Sequence, residues 1–306
     1  MADSNGVLGI DIGGTNIRMG IVFPGGRIEC FRKDDCRSVL QGENTPRMFV
    51  SYVADYIKKE TRNCELLAVS VGVPSTVDRR KRKVVSAPNI KGFNDLELAE
   101  LMEADLGLPV YLDRDVNMVF RFDRERLALP DYGVGIGCYI GTGIGNVISV
   151  DGKLLVGKNG SACELGHVPV MGRYEKCSCG NVGCCENYAS GRYLDMILSQ
   201  RKQGTVAELM QSPEFSVTMD EFVDNIAIVV ATEVNILDPE YVILGGGVLL
   251  NEGFPIEKLK KKIIEHCRTP YPQQGLKLYT SIEANHSGVI GAALYAWDRL
   301  REEGKL

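Results

Sequence analysis

Long apolar runs are missing from this 306-residue chain. A bilayer-spanning helix needs roughly 20 consecutive apolar residues, and no such window occurs. The opening residues, Met1 to Gly6, are polar and carry no apolar leader core. A soluble, cytoplasmic chain without a membrane partner is expected. Gly-Lys-Ser/Thr occurs nowhere, so a P-loop is excluded. Basic stripes are also lacking, and the net charge is −5, which speaks against nucleic acid as a partner. The nearest to a basic run is Asp78-Arg79-Arg80-Lys81-Arg82-Lys83. It lies between two β-like runs and is expected to be a solvated hairpin turn. Histidine is scarce, with three in the chain.

Cysteine is not scarce. Four of the ten, Cys177, Cys179, Cys184 and Cys185, fall within nine residues. Without a leader the compartment is expected to be reducing, so a local metal site fits better than disulfides. His167 stands just upstream, in Glu164-Leu165-Gly166-His167. His167, Cys177, Cys179 and Cys184 make a His-Cys₃ set, the composition of a closed structural zinc site. Cys185 is left over, because adjacent cysteines rarely reach one metal together.

Short apolar runs with glycine turns and helical stretches alternate along the chain, which predicts an α/β fold. Val7 to Ile12 is a strand that turns at Gly13-Gly14 into a second strand, and Pro24-Gly25-Gly26 makes the next hairpin. Val134 to Ile140 is again a strand, turning at Gly141-Thr142-Gly143, and Asp151-Gly152 makes the next hairpin. Laying Thr142 over Thr15 puts Gly152 on Gly25, a weak internal repeat. Glycines let backbone N–H groups approach anionic oxygens with no Cβ in the way. In Asp11-Ile12-Gly13-Gly14-Thr15 the carboxylate can hold Mg²⁺ through water, and the hydroxyl can meet a phosphate. Gly141-Thr142-Gly143-Ile144-Gly145 fits no dinucleotide register, since a strand follows it. Two such turns suggest two loops gripping one triphosphate. At the end of another strand, Asp113-Arg114-Asp115 offers a carboxylate that could take the proton of an attacking hydroxyl. Spacing alone does not select Asp115 over Asp113.

In this order the pieces resemble the ROK family of sugar kinases and repressors, over about Gly6 to Trp297. The resemblance rests on Asp11-x-Gly13-Gly14-Thr15, on Glu164-x-Gly166-His167 and on Cys177-x-Cys179-Gly180-x-x-Gly183-Cys184-x-Glu186. Gly245-Gly246-Gly247 is similar to the family's nucleotide-side glycine turn.

It implies an actin-like ATPase (ribonuclease H-like) fold: two lobes, a central cleft and a duplicated strand–turn–strand core. The small lobe is expected over 1–115, completed by a C-terminal helix at about 288–306, and the large lobe over 116–287. The implied activity is transfer of the ATP γ-phosphoryl group to the 6-hydroxyl of a free hexose. Asp115 matches the catalytic base. Asn89, Arg114, Glu164, His167 and Glu186 match the sugar side. Gly9, Asp11, Gly13, Gly14, Thr15, Asn16, Gly141, Thr142, Gly143, Gly145, Gly245, Gly246 and Gly247 are assigned to ATP and Mg²⁺. His167 is expected to use one ring nitrogen for zinc and turn the other to the sugar.

Family hexokinases usually carry Asn before the base, and this chain has Arg114. Arg114-Asp115-Val116-Asn117 is similar to the family's D-allose kinases, so D-allose is the expected hexose and ordinary glucose specificity is not expected. A homodimer is expected. The family's repressors place a winged helix-turn-helix before the first strand, for which the residues ahead of Val7 leave no room. A zinc hydrolase would need an open ligand position that His-Cys₃ does not leave. A sugar-binding protein without catalysis would not need paired Gly-Thr turns.

Overall fold

The computed structural model describes residues 5–40, 44–61, 64–87, 89–201, 205–282 and 285–306. They form two compact units. The first comprises Met1–Leu129, Val156–Ala162 and Ala284–Leu306; the second comprises Pro130–Leu155 and Cys163–Glu283.

In the first unit, strands β1 (Asn5–Ile12), β2 (Asn16–Val22), β3 (Ile28–Asp35), β4 (Glu65–Val73) and β7 (Val110–Arg114) form one sheet in the order β3-β2-β1-β4-β7. β1 runs antiparallel to β2 and parallel to β4, which is parallel to β7. A separate hairpin joins β5 (Thr76–Val77) and β6 (Val84–Ser86).

Period-two alternation sends successive side chains of a strand to opposite faces. Leu8, Ile10 and Ile12 therefore enter one core with Phe49 and Val53 of helix α2 (Thr45–Glu60) and Leu98 and Met102 of α3 (Leu98–Leu106). Val7 enters a second core with Met118 and Phe122 of α4 (Asp115–Arg126) and with Val289, Ala292, Ala293 and Ala296 of the last helix, α10 (Ser287–Glu302). Gly9 and Asp11 share Val7's face. A Cβ on Gly9 would collide with the Val289 carbonyl, and one on Gly291 with the backbone of Met118. Close helix approach thus explains both glycines, including Gly9, which sequence reasoning had given to the nucleotide. The boundary expected after residue 115 moves to Leu129. α4 packs its buried Met118 and Phe122 into a core of the first unit, and that packing keeps it there.

In the second unit, β8 (Val134–Ile140), β9 (Ile144–Val150), β10 (Lys153–Leu154), β11 (Tyr241–Gly245) and β12 (Leu278–Thr280) form a sheet in the order β10-β9-β8-β11-β12. β8 and β9 are antiparallel, and β8, β11 and β12 run parallel. This is the strand order and sense of the first sheet, so the repeat covers all five strands. One face packs on α6 (Gly191–Arg201), α8 (Ser216–Leu237) and α9 (Ile256–His266) through Leu194, Phe222, Ile226, Val230, Leu259 and Ile263. Among the described residues no helix is long and apolar enough to cross a membrane.

Candidate functional site

The β1–β2 turn is held tightly. Gly13 N–H donates to the Asn16 carbonyl at 2.9 Å, and Cys36, starting the short helix Cys36–Val39, donates its N–H to the Thr15 carbonyl at 2.8 Å. The Cys36 thiol also donates to the Gly13 carbonyl at 3.1 Å. Gly14 and Thr15 are exposed, and a Cβ on Gly14 would meet nothing. Gly14 and Thr15 thus present their backbone and hydroxyl outward from an anchored loop.

Beneath the turn, Asp11 is buried, and its Oδ2 lies 3.1 Å from Nη1 of its cross-strand partner Arg18. Burial pushes the Asp11 pKa up, against the pull of Arg18. A Cβ on Gly288, in the first turn of α10, would lie 2.5 Å from the Asp11 carboxyl carbon. Only glycine lets that helix end come so close, and a helix N-terminus favours a neighbouring negative charge.

Asp115 is the first residue of α4, where its Oδ1 accepts the Val116 N–H at 2.8 Å. Burial, and then the Asp11 charge, push its pKa up to about 7. Gly72, opposite Asp11 on β4, leaves room for the Asp115 backbone, since a Cβ there would be 3.3 Å from the Asp115 Cα. Asp113 differs. It is buried on β7, with Lys81 Nζ 2.5 Å from its Oδ2. Lys81 and Arg121 hold its pKa below the usual carboxylate range despite burial. Two carboxylates two residues apart are thus pushed in opposite directions, and Asp115 alone of the pair is poised near neutrality. The Arg114 guanidinium donates from Nη1 to the Ala162 carbonyl at 2.9 Å. Asn89 sits on an exposed turn after β6.

In the second unit the turn Gly141-Thr142-Gly143 is pinned to the start of α6. Gly191 N–H donates to the Gly141 carbonyl at 2.8 Å, and the Ser190 hydroxyl to the Thr142 carbonyl at 2.8 Å. The Thr142 side chain is exposed. Gly145 lies inside β9, beyond the turn. A Cβ on Gly143 would come 2.6 Å from Oε2 of Glu186, a buried residue that opens the short helix Glu186–Ala189. Gly245 is the end of β11, where a Cβ would meet Ser281 and Tyr139, so packing already demands glycine. Gly246 has φ +92°, which favours glycine, and Gly247 faces open space.

His167, Cys177, Cys179 and Cys184 bring their ligand atoms within 4.8 Å of one another. Cys177 Sγ is 3.7 Å from His167 Nδ1, and Cys179 Sγ is 3.6 Å from Cys184 Sγ. Zn–S bonds of about 2.3 Å in a tetrahedron place sulfurs about 3.8 Å apart, so donor set and spacing fit zinc. The other ring nitrogen, Nε2, faces Glu164 at 3.8 Å, while Glu186 Oε1 lies 3.9 Å from Nδ1 and 3.7 Å from Arg192 Nη1. Cys185 is not a spare ligand. Its thiol donates to the Leu165 carbonyl at 3.0 Å, which ties the Glu164–His167 turn to the residue preceding Glu186.

With both turns and the His-Cys₃ cluster placed, comparison with known proteins settles the lineage. A model of the ROK family matches residues 7–299. The chain belongs to the ROK family. It is 27% identical to a glucokinase of Thermotoga maritima over 96% of this chain and 98% of that one. It is 27% identical to a xylose repressor of Caldicellulosiruptor bescii over 85% of this chain and 70% of the repressor. A ROK family glucokinase from Streptomyces griseus, solved in complex with glucose and AMPPNP, matches with a TM-score of 0.79 at 25% identity. That match covers 96% of this chain and 99% of the other.

Several residues of this ROK protein escaped sequence reasoning. Arg18 and Gly288 flank Asp11, Cys36 anchors the β1–β2 turn, Lys81 meets Asp113, and Arg192 reaches Glu186. Arg18 was in reach, since a residue facing Asp11 across a tight hairpin follows from turn length. Gly288 and Lys81 come from distant segments, and no local signal marks them. The expected solvated hairpin turn is correct for Arg79 and Arg80, which are exposed, but Lys81 and Arg82 turn inward, Arg82 onto Glu103.

Proposed function

We propose that this protein is an ATP-dependent sugar kinase that transfers the γ-phosphoryl group to the 6-hydroxyl of a free hexose. The observation that carries this reading is Asp115, a carboxylate at a helix start with a pKa of about 7, beside Asp11. A base poised near neutral pH accepts the hydroxyl proton as the phosphoryl group arrives. Asp11 would hold hydrated Mg²⁺, which neutralises phosphate charge. The exposed Thr15 and Thr142 hydroxyls and the open faces of Gly14, Gly141 and Gly247 would meet phosphates. Asn89, Glu164, His167 and Glu186 would contact sugar hydroxyls, and zinc on His167, Cys177, Cys179 and Cys184 would brace the loop that carries them. Similarity to two glucokinases, one of them solved with glucose and AMPPNP bound, supports the same chemistry.

The xylose repressor among the relatives favours a second reading, a sugar sensor without catalysis. Hexose-stimulated ADP release separates the two, because a sensor releases none.

For the epimer, Arg114 in place of the family's usual Asn supports D-allose, and the glucokinase names support glucose. A planar guanidinium and a shorter amide reach different hydroxyls, and a wrong epimer leaves buried donors unpaired. The test is kcat/KM for allose, glucose, mannose, fructose and N-acetylmannosamine, in the native protein and in Arg114→Asn. The allose reading requires that allose leads in the native protein and that the substitution shifts the ratio toward glucose. A native preference for glucose leaves a glucokinase.

A further inference from the structure

The inward turn of Lys81 has a use within the proposed reaction. Lys81 stands at the tip of the hairpin between β5 and β6, in a backbone conformation with φ +57°. Its ammonium lies 4.7 Å from the centroid of the Tyr295 ring on α10, and its Nζ contacts Asp113 Oδ2 at 2.5 Å. The Lys81 side chain is 17% exposed and that of Asp113 is 3% exposed, so the pair is largely shielded from water. The other oxygen, Asp113 Oδ1, accepts two hydrogen bonds, from the Arg114 N–H at 2.9 Å and from Asn117 Nδ2 at 2.7 Å. Arg114 is the residue before α4, and Asn117 lies in its first turn. One carboxylate therefore clamps both sides of Asp115.

We infer that Lys81 is a positioning residue for Asp115: by holding Asp113 ionised, it keeps the two-sided clamp that fixes the first turn of α4. The inference rests on the kinase reading for its catalytic half. The physical argument is short. Without Lys81 the buried Asp113 carboxylate loses the counter-ion in contact with it and keeps only the charge of Arg121, so it takes up a proton more readily. A neutral Asp113 would accept both hydrogen bonds less strongly, since charge-assisted bonds are about twice as strong as neutral ones. The first turn of α4 then loosens, and an ångström of misplacement at a base costs rate rather than affinity. The rest of the basic run needs no such role, because Arg79 and Arg80 are exposed and Arg82 is held by Glu103.

The test compares Lys81→Met, Lys81→Arg and the double variant Lys81→Met/Asp113→Asn. Lys81→Met should lower kcat by about ten-fold or more and leave the KM values for ATP and hexose within about two-fold. Lys81→Arg should recover most of that loss, since it restores the positive charge. The double variant should turn over about as slowly as Lys81→Met alone, because the acceptor at position 113 is neutral in both and the second substitution removes nothing more. It also covers the case in which the single variant fails to fold. Hydrogen exchange of the Arg114, Val116 and Asn117 amides gives a readout independent of substrate. It should quicken in Lys81→Met and stay near native in Lys81→Arg. The inference is overturned if Lys81→Met keeps its kcat, or if Lys81→Arg is as slow as Lys81→Met. Unchanged amide exchange in every variant overturns it too. If the native protein phosphorylates no hexose, the kinase reading fails, and the exchange experiment still decides whether Lys81 holds the clamp.

Discussion

The two sheets of this protein share strand order and sense but carry different residues on the same row. In the first sheet, pairing aligns Arg18, Asp11, Gly72 and Asp113 across β2, β1, β4 and β7. In the second, Gly145, Tyr139 and Gly245 align across β9, β8 and β11, and Ser281 follows β12 at the same level. Glycine sits in the middle of both rows: a Cβ on Gly245 would lie 2.6 Å from Ser281 Cβ, and one on Gly72 3.1 Å from Met118 Cγ. The carboxylates occur in one row only. Both hairpins keep a glycine-containing strand-end turn, spanning Gly13–Asn16 in one and Gly141–Gly143 in the other, while the ionisable chemistry sits in one copy. A glycine turn above a neutral row can receive an anion directly. A turn above Asp11 needs a cation alongside, and Arg18 supplies one here.

The sharpest break of this comparison is Asp115→Asn. Under the kinase reading, kcat should fall by about 10²-fold or more, with hexose affinity retained. Native kcat should rise with pH through an apparent pKa near 7, since the base works ionised. The same shift has a stability sign. The folded pKa lies above the unfolded value of 3.8, so the contribution to folding is full below about pH 4 and is lost as pH rises through about 7. Asp115→Asn should therefore melt higher than the native protein at pH 8, with the gap closing by pH 4. Equal melting at both would show that Asp115 is not perturbed.

A second test sets the rows against each other. Under the kinase reading, Asp11→Asn should raise the Mg²⁺ concentration for half-maximal turnover by roughly ten-fold, because the carboxylate proposed to hold the hydrated ion is lost. Tyr139→Phe, the matching position of the other sheet, should leave it unchanged. Equal effects would mean that the rows do not divide the labour.

The smallest effect concerns zinc in the second unit. Purified protein should hold one zinc per chain by atomic absorption, and Cys179→Ala should lose it. Hexose KM should then rise several-fold, with kcat less affected. Metal-free protein with native KM would remove zinc from the sugar site.

Legibility in the sequence followed the range of each interaction. The His-Cys₃ cluster was readable because its four residues lie between His167 and Cys184, and the Gly-Thr turns because each is one local hairpin. The full five-strand repeat was not. β11 and β12 share with β4 and β7 little beyond one glycine, Gly245 against Gly72, and parallel pairing across long crossovers leaves no local trace. Cys185 defied spacing for a different reason: its partners are backbone carbonyls, which have no residue identity to read.

The contact between Gly9 and Val289 has a consequence for how the chain is made. Strand β1 completes its packing only against a helix translated about 280 residues after it. Until then α4 alone covers that face of the nascent sheet, a stretch of vulnerability that the second unit, built from a nearly continuous segment, does not share.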